Sequence, residues 1–269
     1  MCIRDRSLTA VHAELEDLTR ATARLRGQWL MPLLVSRRVY SMLMPIFDGR
    51  GEVFGEEALG RADHNSDEVI SGAPLFEAAR DLDLVTHLDR VLRGDAFAAF
   101  SRAYPFEKPR LFLRASSEAL TDSESLLVSF AELASAREIP AATTVIEVGE
   151  RSVGDERRFR IAFDAIRASG MQVSLSGLMP GARALQMLSN LRPDFAKIDG
   201  ETVRAVARAA GTDQAERARK ELQALVGAAH AVGATVIAPG IESPEDLKVA
   251  EASGATLYSG FLLCRPRRL

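Results

Sequence analysis

Cysteine is almost missing. Cys2 and Cys264 are the only two in 269 residues, too few for a disulfide framework, and no Cys-X-X-Cys pair exists. A reducing, cytoplasmic setting is the expectation. Histidine is nearly as scarce. His12, His64, His87 and His230 are scattered and never stand at zinc-ligand spacing, which argues against a His-based metal site. Long apolar runs are absent too. "WLMPLLV", Trp29 to Val35, is far too short to span a bilayer and is broken by Pro32. No signal-peptide pattern opens the chain. The first residues, "MCIRDR", read neither as a helix start nor as a targeting segment. A native extension ahead of them, carrying a membrane tether, therefore stands as the alternative to a free cytoplasmic location. There is also no basic excess: 34 Lys and Arg face 37 Asp and Glu, a net charge of −3. That excludes a general binder of nucleic-acid polymers.

What is present is an ordinary globular mixture, 47% apolar and 26% charged, long enough for one large domain or one domain plus an appendage. The first thirty residues differ from the rest. Leu8, Val11, Leu15, Leu18, Thr22, Leu25 and Trp29 fall alternately three and four apart, the a/d seam of about three heptads. Two readings fit: a homodimeric coiled coil through residues 8–29 feeding into the domain, or a single amphipathic helix packed on its side. The division expected is an N-terminal helix over 1–30 and a barrel domain over 31–269.

From Arg38 onward short apolar strands alternate with amphipathic helices. Strands are expected at Val39–Phe47, Glu52–Leu59, Arg110–Ser116, Thr143–Gly149, Gln172–Gly177, Phe195–Asp199, Thr235–Gly240 and Leu257–Leu263. Helices are expected at Ser123–Glu138, Asp155–Ser169 and Asp213–Gly233, and from the Ser243 N-cap to Gly254. Such alternation predicts an α/β fold, a (β/α)8 TIM-like barrel preceded by the N-terminal helix. "DGRG", Asp48–Gly51, is a tight-turn signal that makes the first two strands a hairpin, so one strand should run antiparallel. An open doubly wound sheet is less favoured, for no GxGxxG follows a strand. In a barrel, chemistry sits at the C-terminal ends of the strands.

One such region, "VFGEEALGR" (Val53–Arg61), carries adjacent carboxylates on Glu56 and Glu57. Strand side chains alternate, so one points inward, where a carboxylate is costly unless it is paired or holds a metal. The ordered set "MPIFD", "EALGR", "IEVGE", "PDFAKID", "VIAPGIES" and "SGFLLCRP" resembles the EAL family, the cyclic di-GMP phosphodiesterase domains of bacterial signalling, over roughly Arg38 to Pro266. "PLFEAARDLDLVTHLDRVL", Pro74–Leu92, looks like the family's segment after the EAL motif. The resemblance implies two Mg²⁺ or Mn²⁺ ions, held by carboxylates and an amide, that activate a water against a phosphodiester. It carries the vestiges Glu57, Glu147, Lys197 and Glu242, with Arg61 and Glu242 as ligand contacts if a ligand binds.

The departures from the family pattern decide more. Arg114 stands where the family has a metal-binding Asn, Ser176 and Gly177 where it has two aspartates, and Pro239 where it has a glutamate. Met44 and Ser259 replace two glutamines. Three carboxylates lost and one guanidinium gained equal the charge of two divalent cations. The expectation is therefore that the metals are gone and no cofactor is kept, with Arg114 bridging Glu57 and Glu147 through a bidentate guanidinium. Lys197 would then pair with Asp199 or Glu242, and Leu178 and Met179 look exposed enough to mark a partner surface. The function implied is a catalytically inactive EAL domain, a signalling or protein-interaction module in cyclic di-GMP-related regulation. The alternatives are a non-hydrolysing cyclic di-GMP receptor and, last, a metal-dependent phosphodiesterase.

Overall fold

The computed structural model describes residues 8–64, 68–120, 123–150, 156–209 and 213–269. "MCIRDR" and the expected helix start at Asp155 lie outside the described residues. The strands are β1 (Val39–Asp48), β2 (Val53–Asp63), β3 (Val69–Ser71), β4 (Arg110–Arg114), β5 (Thr144–Gly149), β6 (Gln172–Leu178), β7 (Phe195–Ile198), β8 (Thr235–Ala238) and β9 (Leu257–Tyr258). Their order is β1-β9-β8-β7-β6-β5-β4-β2-β3, and a β1–β2 pairing closes eight of them into a mixed barrel. β1 is antiparallel to β9 and the extra strand β3 is antiparallel to β2, whereas β2, β4, β5, β6, β7, β8 and β9 run parallel around the ring. The hairpin is set by sequence: the Asp48 carboxylate accepts the N–H groups of Arg50 and Glu52 at 2.8 and 2.9 Å. Gly51 takes a φ of +80°, open to glycine without a Cβ penalty.

The described residues form two compact units, 1–40 with 60–92, and 41–59 with 93–269. In the larger unit the barrel interior is floored by Ile46, Phe112, Val145, Phe195, Ile237 and Leu257, all buried. The rings of Phe112 and Phe195 meet edge-on at 5.0 Å, a favoured aromatic geometry. Alternate residues of the same strands, such as Leu111, Leu113, Ile146, Val148, Val173 and Leu175, face the surrounding helices. Those helices include the part of α4 (Val85–Ala103) from residue 93 onward, α5 (Ser117–Leu120), α6 (Ser123–Ser135), α7 (Glu156–Ala168), α8 (Ala182–Leu191), α9 (Gly200–Arg208), α10 (Asp213–Ala231) and α11 (Pro244–Ser253). α11 begins with a capping box between Ser243 and Asp246 and ends at Gly254 in the left-handed region, as its sequence predicts.

The smaller unit has its own core, with Leu30, Leu33, Val39, Leu75, Ala79 and Leu88 buried together. Here α1 (Leu8–Gly27) lies against α3 (Gly72–Asp81), while α2 (Leu30–Val35) follows it in sequence. A Cβ on Gly27 would meet the Ala78 carbonyl at 2.7 Å, so glycine permits the close approach. Of the heptad seam, the side chains of Leu8, Val11 and Leu15 lie outside the described residues, and Leu18 and Leu25 are each 65% exposed. Among the described residues no helix is long and apolar enough to cross a membrane.

Candidate functional site: the C-terminal mouth of the barrel

The two glutamates of β2 part company as alternation requires. Glu56 faces outward and is fully buried. Its Oε1 accepts from the Tyr104 hydroxyl at 2.5 Å and from Arg267, and its Oε2 has no hydrogen-bond partner among the described residues. Burial pushes the Glu56 carboxyl up, with Tyr104 and Arg267 opposing. Burial and then Glu56 push the Tyr104 hydroxyl up to about 12.

Glu57 faces the lumen. Its Oε1 lies 2.5 Å from the Lys197 ammonium. Lys197 is on β7, which is not a neighbour of β2 in the sheet, so this contact is made across the barrel interior. The same ammonium donates to Glu147 Oε2 on β5 at 3.1 Å. The Lys197 side chain is 6% exposed and that of Glu147 3%. For Lys197, burial favours the neutral amine, but Glu147 and Glu57 outweigh it and hold the pKa above its usual value. For Glu147, burial raises the pKa, and Lys197 with Arg114 more than reverses that, leaving it below the usual carboxylate range. The Lys197 side chain therefore bridges Glu57 and Glu147 at the centre of the mouth, with Lys197 held in its protonated form and Glu147 in its ionised form.

The bridge expected of Arg114 is thus made by Lys197. Register explains the exchange. Glu57 pairs with Phe112 on β4, whereas Arg114 pairs with Glu147 on β5. Arg114 stands two residues, roughly 6–7 Å of strand rise, nearer the rim than the residue opposite Glu57. Its Nη2 donates to Ser176 Oγ at 3.2 Å and lies 3.7 Å from Glu147 Oε1, and its side chain is 60% exposed. Lys197 does not pair with Asp199 or Glu242. Asp199 instead caps α9, accepting from the Thr202 N–H at 3.2 Å. Glu242, exposed, pairs with Arg204 at 3.5 Å.

Arg61 belongs to the smaller unit, where it stands opposite Ser71 and donates to the Gly60 carbonyl at 2.8 Å. Met44 and Ser259 are buried. Leu178, expected to be exposed, is buried, because the strand bulges between Ser176 and Leu178 and turns that side chain into the core; Met179 is exposed.

Glu150 escaped the sequence reading. It is buried, its Oε2 accepts the Met179 N–H at 3.2 Å, and its Oε1 lies 3.7 Å from Arg183. It ties the loop between β6 and α8 to the end of β5. The signal was the carboxylate three residues beyond Glu147 in "IEVGE".

Among the described residues, no group of three or more His, Cys, Asp or Glu is placed to hold a metal ion. Two octahedral divalent cations need many hard oxygen donors. The mouth offers Glu57 and Glu147, already joined through a cation on the protein itself, so these residues do not fit a metal pair.

Comparison with known proteins gives a consistent picture. The family model described as "EAL domain" matches residues 28–266. No curated protein matches. Among solved structures, the PaMucR phosphodiesterase in complex with c-di-GMP is 18% identical, with a TM-score of 0.78, covering 88% of this chain and 95% of that one. The Xanthomonas citri FimX EAL domain in complex with c-di-GMP is 19% identical, with a TM-score of 0.77, covering 96% and 97%. The Bacillus subtilis YkuI protein, in complex with substrate c-di-GMP and calcium, is 20% identical, with a TM-score of 0.74, covering 89% and 58%.

Proposed function

The chain belongs to the EAL-domain family, and we propose that it is a member without phosphodiesterase activity, a metal-free signalling or protein-interaction module in cyclic di-GMP-related regulation. The observation that carries this reading is the Lys197 ammonium, 2.5 and 3.1 Å from Glu57 and Glu147. A divalent cation between those carboxylates would have to displace a buried charge that both of them stabilise. Ser176, Gly177 and Pro239 supply no carboxylate to replace the lost ligands. Without a metal-activated water, the chemistry of hydrolysis lacks its nucleophile.

The test is product analysis after incubating the purified protein with cyclic di-GMP and Mg²⁺ or Mn²⁺. Linear pGpG is expected to form no faster than with Glu57→Ala. Metal-dependent turnover well above that control refutes the reading.

A second reading, binding of cyclic di-GMP without hydrolysis, is favoured by the exposed Arg114 guanidinium at the mouth. Glu242, in the same unit, is its further candidate contact. The exposed Leu18 and Leu25 support pairing of two copies through residues 8–29.

A further inference from the structure

A second charged cluster lies on the outer face of the β1–β2 hairpin, on the opposite side of β2 from Glu57. All its members belong to the larger unit. A turn, not a crossover helix, joins these two strands, and the chain after β9 returns to them. β9 pairs with β1 only at Phe47 and Asp48. Earlier in β1 a strap, residues 265–269, takes the edge instead. The Leu43 N–H donates to the Arg267 carbonyl at 2.9 Å, and the Arg267 N–H donates to the Leu43 carbonyl at 2.8 Å. The Arg267 guanidinium reaches Glu56 on β2, and Arg102 on α4 donates to the Leu269 carbonyl at 2.5 Å.

Glu56 is fully buried. Its Oε1 serves both Arg267 and Tyr104, and its Oε2 has no hydrogen-bond partner among the described residues. A carboxylate there is costly, and a well-packed apolar residue would hold a permanent strap at least as firmly. What the carboxylate adds is selection for a cation. The strap itself is lightly held. One bridge joins its backbone to β1, Pro266 has no N–H to add another, and the Arg267 side chain is 45% exposed. Few buried contacts and exposed hydrogen bonds mark segments that open before a domain unfolds.

We infer that the outer groove of this hairpin, built from the Leu43 backbone, Tyr104 and Glu56, is a recognition site for an extended, arginine-bearing segment of a partner protein, with residues 265–269 as its resident occupant. The partner segment replaces the strap by adding the same antiparallel bridge to β1 and setting an arginine on Glu56, with Oε2 as a second acceptor for the guanidinium fork. The inference rests on the interaction-module reading and gives that module a partner chemistry at a place remote from the mouth.

The experiment titrates the full chain into a fluorescent peptide with the sequence of residues 263–269 carrying Cys264→Ser, followed by anisotropy. Arg267→Ala, which takes the resident cation out of the groove, binds the peptide at least about tenfold more tightly than wild type, because apparent affinity scales with the fraction of open groove. Adding Glu56→Gln to that variant removes the gain, and so does Arg267→Ala in the peptide. Thermal melting checks that each variant folds. Should Arg267→Ala fail to fold, amide exchange of wild type decides. The Leu43 and Arg267 amides then exchange together in urea too dilute to accelerate Ile146 and Leu175, and excess peptide speeds Arg267 while Leu43 stays protected. No gain in Arg267→Ala, a gain indifferent to Glu56, or Leu43 and Arg267 amides that exchange only with the core each overturns the inference. Assaying the same samples for pGpG with Mg²⁺ separates the two failures. Formation of pGpG refutes the non-hydrolytic reading whatever the peptide does, whereas a silent peptide without pGpG refutes only the groove.

Discussion

Replacing Lys197 by methionine keeps the length of the stem and removes the charge that joins Glu57 to Glu147. At 2.5 and 3.1 Å, each attraction is about 5–7 kcal/mol gross at an effective dielectric near 20, and desolvation of the buried charges offsets most of it. Removing one partner leaves the others unpaired, which costs about 3–5 kcal/mol. Arg114 remains 3.7 Å from Glu147 and relieves part of the loss, so about 3 kcal/mol is expected. For a unit of this size that lowers the melting temperature by roughly 6–12 °C. Urea unfolding of Lys197→Met, of Glu147→Gln and of the double variant measures the coupling directly. The double variant should recover part of the loss, because the facing carboxylates no longer repel. A loss below about 1 kcal/mol, or strictly additive effects, would refute the idea that the mouth is organised around this ammonium.

Further consequences follow from the same contacts. Because the folded Glu147 pKa is depressed, its contribution is present above the unfolded value and is lost as pH falls through the folded one. Lys197, raised, contributes fully below its unfolded value and loses that contribution as pH rises through the folded one. Urea midpoints should therefore hold steady near neutrality and fall at both extremes, with Glu147→Gln flattening the acid limb; an unchanged acid limb contradicts the assignment. Glu150→Ala removes the acceptor of the Met179 N–H and should destabilise by about 1–3 kcal/mol, with faster amide exchange at Met179; unaltered exchange there counts against the tether. Leu18→Ser with Leu25→Ser should leave the melting temperature within about 2 °C, since single exposed substitutions change little, while abolishing a dimer in sedimentation equilibrium; a wild type that stays monomeric removes the seam from the account.

Much of the barrel was legible in the sequence. Its strands alternate between an inner set such as Phe112, Val145 and Phe195 and an outer set such as Leu113, Ile146 and Leu175, and the Asp48–Gly51 turn announced the antiparallel strand. Short elements were less visible. α8 carries Met187, Leu188 and Leu191 on its buried face, yet its ten residues follow a Pro-Gly turn and read as loop. Asp199 looked like the end of β7 because nothing local distinguishes a strand terminus from an N-cap. β3, three residues long, offered too little pattern to find.

At the site, the sequence identified the participants and misassigned the bridge. Arg114 and Lys197 are both cations at strand ends. Which one reaches both glutamates depends on register between strands far apart in sequence and on a contact across the lumen, and neither is written in local spacing. The Glu150 tether was hidden for a related reason, since its partner is a backbone N–H rather than a side chain. The burial of Leu178 depends on a bulge, which one residue of sequence does not announce.

The central claim is that the protein's own charges occupy the mouth where a divalent cation would otherwise sit. Mn²⁺ titration followed by electron paramagnetic resonance tests it most directly, comparing wild type with Glu147→Ala. The account predicts that all added Mn²⁺ remains as the free aquo ion in both proteins, apart from weak surface binding that the substitution leaves unchanged. Tight stoichiometric Mn²⁺ binding in wild type that disappears in Glu147→Ala would contradict it.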